Sequence, residues 1–146
     1  MNDQTPNLSG IEHLRHAIAT GHSSAMADTF GMRLIAVGDG TATFEAHPSE
    51  KFYNPHHRVH GGFAATLIDS AMGCAVQTRL PAGMQYGTIE MKVSYVRKIE
   101  VASGRLLCTA AVLHSGRTMF TADAKLTGGD GKLYAHGSGT FLVYPK

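Results

Sequence analysis

The sequence predicts an α+β domain in which an antiparallel sheet wraps around one long central helix. Three observations carry that expectation. The run from Gly62 to Thr78 is rich in Ala, Leu, Ile and Met and is apolar nearly all round, so it reads as a helix enclosed by other structure. The segments flanking it alternate apolar and polar residues with a period of two, the pattern of half-buried strands. Short connections between successive strands favour antiparallel pairing.

Taken in order, the first element begins at Ser9. Ser9 and Glu12 have the spacing of a capping box, Ile11, Leu14 and Ile18 fall on one helical face, and Gly21 can stop the helix. From Gly31 the period changes to two. Gly38-Asp39-Gly40 supply the turn of a hairpin, and Ala42, Phe44 and Ala46 alternate against Thr43 and Glu45. An irregular loop with Pro55 and Gly61-Gly62 leads into the apolar helix. Beyond it, Ile89, Met91, Val93 and Tyr95 alternate with Glu90, Lys92 and Ser94 in a half-buried strand. Leu106, Cys108, Ala110 and Val112 mark a second, and Phe120, Ala122, Ala124 and Leu126 a third. A tight Gly-Gly-Asp-Gly turn at 128–131 precedes a last strand over Leu133 to Val143. The predicted order is one helix, two strands, the enclosed helix and four strands.

The totals exclude several classes. A chain of 146 residues with 43% hydrophobic and 16% charged residues can bury a core and is not disordered. Its net charge of +2, from 13 basic and 11 acidic residues, is too mild for a nucleic-acid binder. No repeat or linker divides it, so one domain is expected over 1–146, with a helical segment over 1–30 packed on it. The N-terminus lacks a signal-peptide pattern, and Gly61 to Thr78 is interrupted by polar residues and barely long enough for a bilayer span. Cys74 and Cys108 lie in apolar segments without a CxxC pair and read as reduced core residues of a cytoplasmic protein.

One charge stands out. Between Val59 and Thr78 the only formally charged side chain is Asp69. A carboxylate in so apolar a run needs a wet edge, a partner or a chemical task, because desolvating it alone is costly. Asn54 and the triplet His60-Gly61-Gly62 precede it at the spacing N-x5-HGG-x6-D.

This spaced set, followed by four strands, resembles the hotdog-fold acyl-CoA thioesterases of the phenylacetate-degradation (PaaI-like) type over roughly residues 30 to 143. The resemblance implies a homodimer, often a dimer of dimers, acting on an acyl-CoA. No cofactor is implied beyond coenzyme A as part of the substrate. It places at Asp69 the nucleophile or general base, and at Gly61 the backbone N–H that binds the thioester oxygen. Asn54 falls at a position that orients the thioester or the attacking water, and Thr88, opening the next strand, at a hydroxyl that helps hold the water. His60 and Gly62 border the thioester, and the basic turn with His114 and Arg117 matches the nucleotide end of the pocket. Asn54 and Gly61 of one subunit would then face Asp69 and Thr88 of the other.

Physical chemistry supports these roles independently. A helix start presents unpaired N–H groups and partial positive charge, suited to a developing oxyanion, and Gly61 has no Cβ to block a carbonyl. Asp69 lies eight residues further on, roughly 12 Å along a helix at about 1.5 Å per residue. One carbonyl cannot bridge that distance, which itself argues for a site shared by two subunits. Local alternatives exist: an Asx-turn at Asn54 before Pro55, a plain loop-to-helix junction at Gly61-Gly62, and an ordinary strand threonine at Thr88. His56, His57 and His60 cluster without carboxylates or cysteines at ligand spacing, so no metal site is expected. Phe63, Met72, Met84, Tyr86 and Phe120 are candidates to line an acyl tunnel. Two other functions fit the fold: an enoyl-CoA hydratase or dehydratase using His60, and a non-catalytic acyl-CoA binding module.

Overall fold

Helix α1 (Gly10–Thr20) starts where its capping residues predict. In the computed structural model, which describes residues 7–146, Glu12 Oε2 accepts from the Ser9 N–H at 2.9 Å and from the Ser9 hydroxyl at 2.6 Å. Gly21 ends the helix at φ 68°, a left-handed conformation that a residue without a Cβ adopts at no steric cost. A second helix, α2 (Ala25–Phe30), was not anticipated. It is six residues long, too short to show a period, and depends on the Ser24 hydroxyl accepting from the Ala27 N–H at 3.2 Å.

Strands β1 (Met32–Gly38) and β2 (Thr41–Ala46) form the expected hairpin, with Ala42, Phe44 and Ala46 buried. After a short 3-10 turn at Glu50–Phe52 comes helix α3 (Gly61–Gln77). The remaining strands are β3 (Met84–Tyr95), β4 (Leu106–Ser115), β5 (Met119–Gly128) and β6 (Leu133–Pro145). All pairings are antiparallel, in the order β1-β2-β4-β5-β6-β3, so β1 and β3 are the two edges.

Helix α3 packs against every strand of this sheet. Phe63, Leu67, Ile68, Met72 and Val76 are buried on it, and they meet Leu106, Cys108, Leu126 and Phe141 of the strands in one core. The helix also lies close to β6, where a Cβ on Gly137 would stand 2.9 Å from Ile68 Cγ2 and 2.7 Å from the Lys92 carbonyl. Leu67 is 0% exposed. Leu67→Ala should therefore cost about 2–5 kcal/mol, through lost transfer energy and the cavity left behind. A denaturant titration checks this, the midpoint moving while its slope stays put.

Strand β3 departs from the sequence expectation in two ways. It begins at Met84, so Thr88 lies in mid-strand rather than opening it. Its register against β6 also slips: Thr88 pairs with Phe141 and Glu90 with Thr140, leaving Ile89 as an extra residue. This β-bulge pushes Ile89 out to 53% exposure, where plain alternation would have buried it. The bulge also changes which residues face α3. Tyr86 and Thr88 do so before it, and Met91, Val93 and Tyr95 after it.

Among the described residues no helix is long and apolar enough to cross a membrane.

Candidate active site

The loop ahead of α3 is tied shut by its own backbone. Tyr53 and Val59 pair across it, the Val59 N–H donates to the Ile99 carbonyl at 2.9 Å, and the His60 N–H donates to the Phe52 carbonyl at 2.8 Å. Asn54 Oδ1 accepts from the N–H groups of His56 at 2.9 Å and Arg58 at 3.3 Å. The Asx-turn is therefore real, and it occupies the carboxamide oxygen. The Asn54 carboxamide nitrogen is left as the group that can reach a ligand. His56 and His57 are exposed on this loop, with His57 in the left-handed region at φ 56°.

This loop sets the hydrogen bonding at the start of α3. His60 is the N-cap, and its Nδ1 accepts from the Gly62 N–H at 2.9 Å. The Phe63 N–H donates to the His60 carbonyl at 3.0 Å. Of the first three amides of the helix, Gly61's alone lacks an acceptor among the described residues. It sits at the positive end of a 17-residue helix, where a partial negative charge is stabilised. With Nδ1 accepting, a neutral His60 ring carries its proton on Nε2. That is the wrong arrangement for a histidine that must take a proton from carbon, as a hydratase would need.

Tyr95 closes over this point. Its hydroxyl donates to the Gly61 carbonyl at 3.0 Å, and its ring lies so near that a Cβ on Gly61 would stand 2.9 Å from Cζ. Nothing in the sequence singled Tyr95 out, because alternation marks a face of a strand and not the helix end beneath it.

Asp69 lies two turns further along α3 and is partly buried. The Thr88 hydroxyl donates to Asp69 Oδ1 at 2.8 Å. The contact exists because the bulge at Ile89 keeps Thr88 on the helix-facing side. One chain thus carries two separate poles on α3, an unpaired amide at its start and a hydroxyl-held carboxylate in its middle. Eight residues of helix, roughly 12 Å, separate them.

The basic turn goes elsewhere. His114 and Arg117 are exposed at the β4–β5 connection, which lies against the C-terminal end of α3: Arg79 donates from Nη1 to Ser115 Oγ at 2.9 Å and from Nε to Asp39 Oδ1 at 3.1 Å. Within one chain that is the opposite end of the helix from Gly61. Of the proposed tunnel residues, Phe63, Met72 and Phe120 belong to the buried core, while Met84 and Tyr86 on β3 are half-buried.

Both cysteines are free, Cys74 and Cys108, and burial pushes each thiol up to about 12. Desolvation disfavours the thiolate, so at pH 8 only about one thiol in ten thousand ionises. The expected result is that Cys108, which is fully buried, resists iodoacetamide at pH 8 in the native protein and reacts on adding denaturant, as mass spectrometry would read. Modification of Cys108 in the native protein at a free-thiol rate would contradict the packing.

A sequence model of the thioesterase superfamily matches residues 56–135. A conserved protein of Pseudomonas aeruginosa has a solved structure that aligns with a TM-score of 0.78 at 34% identity, covering 84% of this chain and 95% of that one. Human acyl-coenzyme A thioesterase 13 is 29% identical over 110 residues, 73% of this chain and 76% of its own. The Escherichia coli PaaI protein from the phenylacetic acid degradation operon aligns with a TM-score of 0.77 at 23% identity, covering 90% of this chain and 94% of that one, a likeness of fold.

Proposed function

This chain belongs to the thioesterase superfamily, and from that premise we propose that it hydrolyses acyl-CoA thioesters to a carboxylic acid and free coenzyme A at a site shared by two copies of itself. The hotdog fold and thioester hydrolysis come with the family. The substrate and the residues in their roles are the proposal.

The observation that carries it is the separation of two poles on one helix. The free Gly61 N–H stabilises charge on the thioester oxygen, and Asp69 attacks the carbonyl carbon directly or through a water it deprotonates. Because the two lie two turns apart, the Gly61 of one subunit works with the Asp69 and Thr88 of another. The thioester carbon gains an oxygen from water, either in one step or by hydrolysis of the anhydride that direct attack by Asp69 forms, which frees Asp69 again. The C–S bond breaks, and the sulfur leaves as the coenzyme A thiolate and takes up a proton. Coenzyme A enters as part of the substrate, and no separate cofactor is needed. Asn54 contributes its carboxamide nitrogen, and His60 and Gly62 border the thioester. His114 and Arg117 serve the far, phosphate-bearing end of the extended ligand.

Strand β3 supports the pairing of subunits. It is a 12-residue edge strand with one side unpaired, and it exposes Ile89 and Tyr95. Long uncovered edges are templates for a second strand.

Thiol release from a panel of short, long and aryl acyl-CoA esters tests the activity, and sedimentation tests the assembly. A strictly monomeric protein that still turned over would exclude the shared site. Thr88→Val removes the 2.8 Å hydrogen bond to Asp69 while keeping the β-branched shape. Its kcat should fall by about tenfold, the scale of one lost hydrogen bond to a charged group, with the melting temperature little changed. Full activity would make Thr88 an ordinary strand residue.

A further inference from the structure

A cavity of about 600 Å³ lies between α1, the first strand and the stripe of α3 that the sheet leaves uncovered. Leu14 and Ile18 of α1, Leu34 of β1, Ser70 and Cys74 of α3 and Tyr86 of β3 line it. That volume is in the range of small-molecule sites. The cavity begins beside the carboxylate: Ser70 follows Asp69, and Tyr86 is two residues before Thr88 on the same helix-facing side of β3.

Its wall on the α1 side is held firmly. The Gly10 N–H donates to the Leu80 carbonyl at 2.9 Å, and the Gly10 backbone lies so close to the Gln77 carbonyl that no Cβ fits between them. Helix α1 is therefore locked onto the end of α3.

Tyr86 gives the cavity its one directed polar feature on the β3 side. Its hydroxyl reaches across to Gly73, one turn beyond Asp69, standing 2.5 Å from where a Cβ would sit. Tyr86 is half-buried, and its hydroxyl, open to the cavity, meets no hydrogen-bond partner among the described residues. Burial holds the phenol above its usual range, so it remains a neutral O–H donor at working pH.

Resting on the reading of Asp69 above, we propose that this cavity receives the acyl group of the substrate and that the Tyr86 hydroxyl selects acyl groups bearing a hydrogen-bond-accepting oxygen. A plain alkyl group would fill the space and cut this donor off from water without giving it a partner. An oxygen substituent at the matching carbon satisfies it, and sites built around such a bond discriminate strongly against the analogue lacking it.

Titration calorimetry with non-hydrolysable thioethers tests this without turnover. The probes are S-ethyl-CoA, S-octyl-CoA and a set of S-(oxo-octyl)-CoA thioethers with one keto group at successive carbons from the second onward. The expected result is that one keto isomer binds at least tenfold tighter than S-octyl-CoA, and that Tyr86→Phe brings the two within twofold. Ala17→Trp, which fills the cavity from α1, should lower the octyl-to-ethyl affinity ratio tenfold or more. Ile18→Phe, bulkier on the same wall, serves in its place if that variant does not fold. A ratio left within twofold by both α1 variants overturns the acyl assignment. A protein with no keto preference, or a preference that survives Tyr86→Phe, overturns the role of Tyr86. Failure to release thiol from any acyl-CoA would count against the hydrolase reading alone, since these affinities do not depend on catalysis.

Discussion

Asp69→Asn is expected to lower kcat for acyl-CoA hydrolysis by about a thousandfold or more, within or above the range for losing a positioned general base, while the protein still folds. The substitution is nearly isosteric. The Thr88 hydroxyl can donate to the amide oxygen as it does to Asp69 Oδ1 at 2.8 Å, so the local geometry survives. Neutralising a partly buried carboxylate removes a desolvation cost, so the melting temperature should hold or rise. What is lost is negative charge and basicity, which an amide cannot supply either for attack or for activating water. Thiol-release kinetics together with a thermal melt check both halves. Undiminished turnover by the Asn variant would reject Asp69 as the attacking or activating group. Loss of turnover together with loss of fold would point to a structural carboxylate.

The second large effect concerns a group that no side-chain deletion removes. Gly61→Pro takes away the N–H assigned to the thioester oxygen, at a place where the helix tolerates it. Gly61 is the first residue of α3, the position where proline's fixed φ and missing donor cost least. His60, at φ −58° and ψ 140°, already has the conformation favoured ahead of proline. Any Cβ at this position meets the Tyr95 ring, which is 58% exposed and can swing outward. Gly61→Ala brings the same Cβ but keeps the N–H, and is the control. The proline variant should be slower than the alanine variant by about 10²–10³ in kcat, the usual scale for one oxyanion donor. Equal rates in the two variants would mean that the oxygen is held elsewhere.

These two residues were also the most legible in the sequence. Asp69 stood out as the lone charge in an apolar run, and Gly61 as a residue without a Cβ at a helix start. Asn54 was legible only as an alternative between a turn and a ligand contact. The structure gives its oxygen to the turn, through the His56 and Arg58 amides, and leaves its nitrogen for the other role. Tyr95 and Tyr86 were not legible as partners of α3. A tyrosine in a strand has the same local signature whether its hydroxyl ends on a helix carbonyl, in a cavity or in water.

The sequence by itself determined the order of the six strands around the enclosed helix, though not α2, together with the capping of α1 and the spacing of Asn54, Gly61 and Asp69. These follow from local propensity and from periods of 3.6 and two residues, which neighbouring residues write together. Only the tertiary structure decided that Thr88 meets Asp69. Alternation from Ile89 onward puts Thr88 on the face of Glu90 and Lys92. Pairing with β6 instead inserts a bulge at Ile89 and returns Thr88 to the helix side. A strand's own residues specify that its faces differ, and the partner strand's register specifies where that difference reverses.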